Sequence, residues 1–212
     1  MPTASATALY RAVLAHRPTE SATRSGLDPG VDCPDCGTGL VATYDLEFFT
    51  LRCPGCESTV GDFTYPLPKN ALDGRTDREV LRAVYDRARA HIGLARRGQC
   101  PDCAGTTSVT VRHPDDAGED RPVEITCDTC TWTVRTGFLL PLLADSRVTG
   151  TLSKVGMAVE ESYPWELPEP IVVADPPQFD LRFEAEGGVA TVAVDDGLDV
   201  LATTAERPTG EE

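Results

Sequence analysis

The stretch Cys33-Pro34-Asp35-Cys36-Gly37, answered after 16 intervening residues by Cys53-Pro54-Gly55-Cys56, decides the fold of this chain. The arrangement returns as Cys100-Pro101-Asp102-Cys103 and Cys127-Asp128-Thr129-Cys130, now with 23 residues between. All 8 cysteines therefore belong to C-x-x-C pairs and none is left over. Two residues between thiolates let one tight turn aim both sulfurs at a single ion, and two such turns complete a tetrahedron. Pro34, Pro54 and Pro101 preset φ at the first turn residue, and Gly37 supplies a position able to take positive φ. The expected ligand sets are Cys33, Cys36, Cys53 and Cys56 for one Zn2+, and Cys100, Cys103, Cys127 and Cys130 for a second.

Each set carries the same pattern of strands. In the first, 40–44 and 48–52 are β-rich runs around Asp45-Leu46-Glu47, with 58–61 following the second knuckle. In the second, 107–112 and 123–126 flank an acidic tip at 114–120, with 131–135 following. The reading is two three-stranded zinc ribbons, each a knuckle, hairpin, knuckle and third strand. Three rival chemistries compete for the cysteines. Structural disulfides suit a secreted chain with a signal peptide, and none is recognisable at the N-terminus. Thioredoxin-like redox chemistry needs a C-x-x-C opening a helix, whereas these lie on hairpins. Rubredoxin-like iron uses the same four thiolates, so ligand type leaves it open beside zinc.

Between the ribbons, Thr76-Asp77-Arg78-Glu79 has the pattern of a capping box, and the helix it opens runs to about residue 95. Val80, Leu81, Val84, Ala88, Ile92 and Ala95 share one face, which should be buried, with His91 as a packing residue on it. Arg78, Arg82, Arg89 and Arg96 with Tyr85 line the other, the one basic stripe of the chain. That stripe is either a partner-binding surface or a solvated face paired with neighbours such as Asp86.

The N-terminal 30 residues read as a short helix at 6–15, carrying Leu9, Tyr10, Val13 and Leu14, and a linker. The rest follows as ribbon 1 at 31–66, the linking helix at 67–98, ribbon 2 at 99–137 and an acidic α+β region at 138–212. In that last region, 139–158 reads as helix with breaks, 163–167 as a buried aromatic corner, and 179–185, 189–194 and 198–203 as an antiparallel meander. The fold class is α+β: two ribbons joined by a helix, then a helix and a small meander.

Composition narrows function. The 212 residues hold 19 Lys and Arg against 34 Asp and Glu, a net charge of -15, which opposes general attraction to nucleic acid or an anionic membrane. Residues beyond 140 account for -11 of this. Only Lys69 and Lys154 are lysines, an acidic and lysine-poor balance suited to a halophile, where salt screens self-repulsion. No run reaches the roughly 18 apolar residues of a membrane helix, so a cytoplasmic location is expected. No paired carboxylates, Ser-His-Asp set or phosphate-binding glycine loop is discernible, so no enzyme activity is expected; thiol redox or iron binding is the alternative.

With the four knuckles, the Arg-rich helix and the Trp165-Glu166-Leu167 element in this order, the chain resembles the C-terminal module of haloarchaeal ArsR-type winged-helix transcription regulators. In that family a winged helix precedes the ribbons, and Leu9-Tyr10-Arg11-Ala12-Val13-Leu14 is similar to the helix leading out of the wing. Only 32 residues precede Cys33, so the DNA-reading unit is expected to be absent. The resemblance implies a binding or dimerisation module whose partner is a winged-helix regulator or a second copy, with direct DNA binding weak or missing.

Overall fold

The computed structural model describes residues 22–56, 63–112, 121–168, 170–173 and 178–207. The helix expected at 6–15, the strand at 58–61 and the hairpin tip at 114–120 lie outside the described residues. The chain divides into two units, Met1–Val84 and Tyr85–Glu212. It is a mixed α+β protein with three antiparallel sheets among the described residues.

In the first unit, β1 (Arg24–Leu27), β2 (Val41–Asp45), β3 (Phe48–Arg52) and β4 (Phe63–Pro66) form a sheet in sequential order. Alternation decides its faces: Ala42, Tyr44, Phe49, Leu51 and Tyr65 are buried, while Val41, Thr43, Asp45, Phe48 and Arg52 are exposed. The Tyr44 hydroxyl donates to the Leu67 carbonyl at 2.9 Å, so the buried ring keeps a polar partner. The stretch expected as linker up to residue 30 contains β1, which makes the ribbon four-stranded. Its sequence, Arg-Ser-Gly-Leu, has no alternating signal, because an edge strand exposed at three of its four positions needs only backbone pairing to β2.

The β2–β3 connection is a two-residue loop, Leu46-Glu47, with φ of 47° and 64°. Two consecutive positive φ values follow the turn that matches strand twist, usually built from Asn-Gly. In L-residues with a Cβ each costs about 1 kcal/mol.

Helix α1 (Asp77–Arg96) begins in the first unit and continues into the second. Its capping box forms as expected: Glu79 Oε2 accepts from the Thr76 N–H at 2.8 Å, and Thr76 Oγ1 accepts from the Glu79 N–H at 3.3 Å. Gly98, at φ 87°, gives its N–H to the Ala95 carbonyl and ends the helix.

In the second unit, β5 (Thr107–Val111), β6 (Val123–Cys127) and β7 (Thr133–Thr136) form the three-stranded ribbon. The Thr107 hydroxyl donates to the Ala95 carbonyl and fixes this ribbon to the end of α1. Gly93 lets α1 approach Ala144, since a Cβ there would stand 3.0 Å from the Ala144 Cβ. The helical stretch with breaks is α2 (Leu139–Leu142) and α3 (Ser146–Lys154), the latter capped by Asp145, whose carboxylate accepts from the Arg147 N–H at 2.9 Å.

The aromatic corner is a 3-10 turn, Pro164–Glu166, with Tyr163 stacked on Trp165 at 4.9 Å between centroids. The meander is β9 (Gln178–Ala185), β10 (Gly188–Asp195) and β11 (Val200–Glu206), extended by the short β8 (Ile171–Val172) on β9. The Asp195 carboxylate accepts from the N–H groups of Gly197 and Asp199, the turn-forming work expected of it. No helix among the described residues is long and apolar enough to cross a membrane.

Candidate metal centres

Cys33, Cys36, Cys53 and Cys56 converge at the end of the first sheet, and Cys100, Cys103, Cys127 and Cys130 at the end of the second ribbon. Within each set the sulfur atoms all lie within 4.8 Å of one another. The grouping pairs each first knuckle with the next one along the chain, as the short hairpins require, and no crossed set forms.

The first knuckle of each set is built by the backbone. The Cys33 N–H donates to the Thr38 carbonyl at 2.9 Å, and the Gly37 N–H returns to the Cys33 carbonyl at 2.9 Å. Sixty-seven residues later the same two bonds recur, Cys100 to Gly105 at 2.8 Å and Ala104 to Cys100 at 3.0 Å. Gly37 takes the positive φ foreseen for it, 69°; Ala104 holds the equivalent place at 59°. Backbone amides then point at the sulfurs, Gly55 to Cys53 at 3.3 Å, Gly105 to Cys103 at 3.4 Å and Thr129 to Cys127 at 3.3 Å. Such N–H donors favour thiolate over thiol.

Sulfur separations test what the sets can hold. Cys33–Cys56, Cys36–Cys53 and Cys53–Cys56 are 3.6, 3.5 and 3.5 Å apart; Cys100–Cys130 and Cys103–Cys127 are 3.7 and 3.5 Å apart. A disulfide needs about 2.05 Å, and none of the eight cysteines is disulfide-bonded. A tetrahedron of metal–sulfur bonds near 2.3 Å places its sulfurs about 3.8 Å apart, close to what is found. Each set can therefore hold one metal ion with every position filled by protein.

The proton affinities divide within the sets, with Cys103 raised like Cys130 although the Gly105 amide pulls it down. The Thr38 hydroxyl and then its amide lower Cys36 to about 6, and the Thr129 amide lowers Cys127 to about 7. Cys130 is pulled down by the Trp132 amide, but burial and the thiols of Cys103, Cys127 and Cys100 push it up to about 12. Four thiolates this close repel one another, and a divalent cation at their centre removes the conflict. Exposure is graded alike in both sets: Cys33 and Cys100 are buried, Cys36 and Cys103 exposed, the other four between.

One pair of contacts at the sites has no sequence signature beyond its spacing. A Cβ on Gly55 would fall 2.4 Å from Thr38 Oγ1, and one on Gly105 would fall 2.6 Å from Thr129 Oγ1. Thr38 and Gly105 each follow their first cysteine by five residues, and Gly55 and Thr129 each follow their third by two. The two ribbons thus carry the same glycine–threonine contact with its partners exchanged.

The basic stripe of α1 comes apart. Arg78 is exposed and Arg82 half-buried, but Tyr85 is fully buried and meets Tyr163 edge to face at 5.3 Å between centroids. Arg89 Nη1 donates to the Val159 carbonyl at 3.4 Å, and Arg96 Nη2 to the Leu198 carbonyl at 2.7 Å, with Asp145 at 3.9 Å. Tyr85, Arg89 and Arg96 therefore serve packing within the second unit, and the five residues do not form one open surface. His91 is half-buried on α1, and its pKa is lowered first by burial and then by Arg87.

The fold and the two four-cysteine sets define a module with one group of thiols able to hold a metal ion in each unit. Residues 30–200 match the family described as Domain of unknown function (DUF7351), and the chain belongs to that family. No curated protein and no solved structure matches it.

Proposed function

We propose that both sites hold Zn2+ and that the protein is a double zinc-ribbon binding or dimerisation module related to the haloarchaeal ArsR-type regulators, its partner a winged-helix regulator or a second copy. The observation that carries the zinc reading is two complete four-thiolate sets, each closing a hairpin whose turns are shaped by amide-to-sulfur bonds. A four-coordinate site leaves no position for an activated water, which favours a structural role over catalysis. The order of knuckles, helix and Trp165-Glu166-Leu167 supports the regulator relationship, and the lysine-poor surface supports a halophilic archaeon as its setting. With Arg89 and Arg96 engaged internally, direct DNA binding through α1 loses two of the four arginines of the stripe.

The reading is tested by elemental analysis of the purified chain. Two zinc per chain, with Co2+ substitution giving sulfur-to-metal charge-transfer bands, is the expected result. The same sulfur geometry suits iron, so a coloured iron centre would establish the rubredoxin-like alternative instead.

A further inference from the structure

The tip of the β2–β3 hairpin joins two features that stability alone does not explain. Leu46 is 72% exposed and Phe48 49% exposed, the former on a residue held at positive φ. Register places Asp45, Phe48 and Pro66 in one row across β2, β3 and β4, all exposed. The turn is held in place, since the Glu47 carbonyl accepts from the Leu67 N–H at 2.8 Å. An Asn-Gly pair would satisfy the same backbone without strain and without displaying a leucine to water.

We propose that this tip docks a segment of a partner protein that is both apolar and basic: Leu46, Phe48 and Pro66 receive an aliphatic or aromatic side chain, and Asp45 and Glu47 receive Lys or Arg. The inference rests on the binding-module reading and gives it a surface. Charge selects the occupant. Asp45, which already accepts from the Thr23 hydroxyl at 3.0 Å, and the exposed Glu47 flank the apolar residues on a chain of net charge -15. Two copies meeting tip to tip would bring four carboxylates together, and a phosphate backbone would meet the same repulsion.

The test is an amide-resolved NMR titration of the metal-loaded, isotope-labelled full chain with a short synthetic peptide of leucine, phenylalanine and arginine. A matched peptide with glutamate for arginine and a DNA duplex serve as comparisons. Shift changes centred on residues 45–48 and 65–67 with the basic peptide alone are expected. The variant Leu46→Asn/Glu47→Gly should bind about tenfold more weakly or worse while melting about 2–4 °C higher, because the turn is relieved. Equal binding by that variant, changes centred elsewhere, or an equal response to the acidic peptide or DNA would overturn the proposal. So would tip-centred dimerisation on dilution series, or peptide binding seen only after removal of residues 1–21. Metal content measured on the same samples separates the two ideas: two zinc per chain with a silent tip refutes the docking surface and leaves the ribbon assignment standing.

Discussion

Substituting Gly55 by alanine isolates the closest contact at the first metal site. The added Cβ would stand 2.4 Å from Thr38 Oγ1, 3.0 Å from its Cβ and 3.2 Å from its Cγ2, so no rotation of the threonine clears it. Gly55 does not sit at positive φ, and alanine therefore strains no backbone. Two effects compete. Stiffening the unfolded chain stabilises by about 0.4–1 kcal/mol, while overpacking costs about 1–3 kcal/mol. The clash wins, and because Gly55 and Thr38 lie beside Cys53 and Cys36, the displacement spreads the sulfurs. The second ribbon supplies the rescue, for Gly105 and Thr129 are the same contact reversed. Thr38→Gly/Gly55→Thr should recover to within about 1 kcal/mol of the parent, the residue being the lost hydroxyl contact to Cys36. The assay is denaturant unfolding followed through cobalt–thiolate absorbance, read as a double-mutant cycle. A Gly55→Ala protein as stable as the parent, or a double variant no better than the sum of the two singles, would refute the reasoning.

Replacing Cys53 with serine or adding chelator should unfold the first ribbon, while Glu206→Gln in the acidic tail leaves the melting temperature unchanged; equal melting with and without chelator would show that metal does not hold the fold. Arg96→Ala should destabilise by about 1–3 kcal/mol through its largely buried guanidinium, whereas Arg78→Ala, exposed, stays within about 0.5 kcal/mol by thermal unfolding. Asp145 is held below its ordinary value first by the Arg147 side chain, so its contribution is present above the unfolded carboxylate range and lost as pH falls through its folded value. Asp145→Asn should flatten that acid limb of a stability–pH profile measured on the metal-loaded protein.

Local chemistry made most of the architecture readable. Cysteine pairing foretold both four-cysteine clusters, β-rich runs located β2, β3, β5 and β6, and Thr76 with Glu79 announced the start of α1. What escaped has physical reasons. β1 and β8 are edge strands of four and two residues, defined by the backbone that they pair with rather than by their own side chains. The glycine–threonine contact is invisible because each ribbon places the two residues the other way round, and only folded geometry shows that one small position must face one threonine. Ala104 at positive φ departs from the glycine rule because the Cys100 and Gly105 bonds hold the knuckle around it.

The divided arginine stripe shows where a helical projection stops being informative. Periodicity sorts the residues of α1 by angle about its axis, and it correctly sends Val80, Leu81, Val84, Ala88, Ile92 and Ala95 inward. It assumes one buried face and one wet face. Elements from the distant C-terminal sequence remove that assumption over the last three turns: the Tyr163 corner meets Tyr85, the Val159 carbonyl takes Arg89, and the Leu198 carbonyl takes Arg96. Leu198 can present that carbonyl because it turns at φ 63° in the loop held by Asp195. An arginine reaching a main-chain oxygen needs no partner side chain, so nothing in the acceptor's residue type marks the contact. Arg89 and Arg96 are consequently better read as bolts between the helix and the C-terminal region than as a recognition surface. Leu46 and Phe48, which the fold leaves exposed, are where the proposed docking surface lies instead.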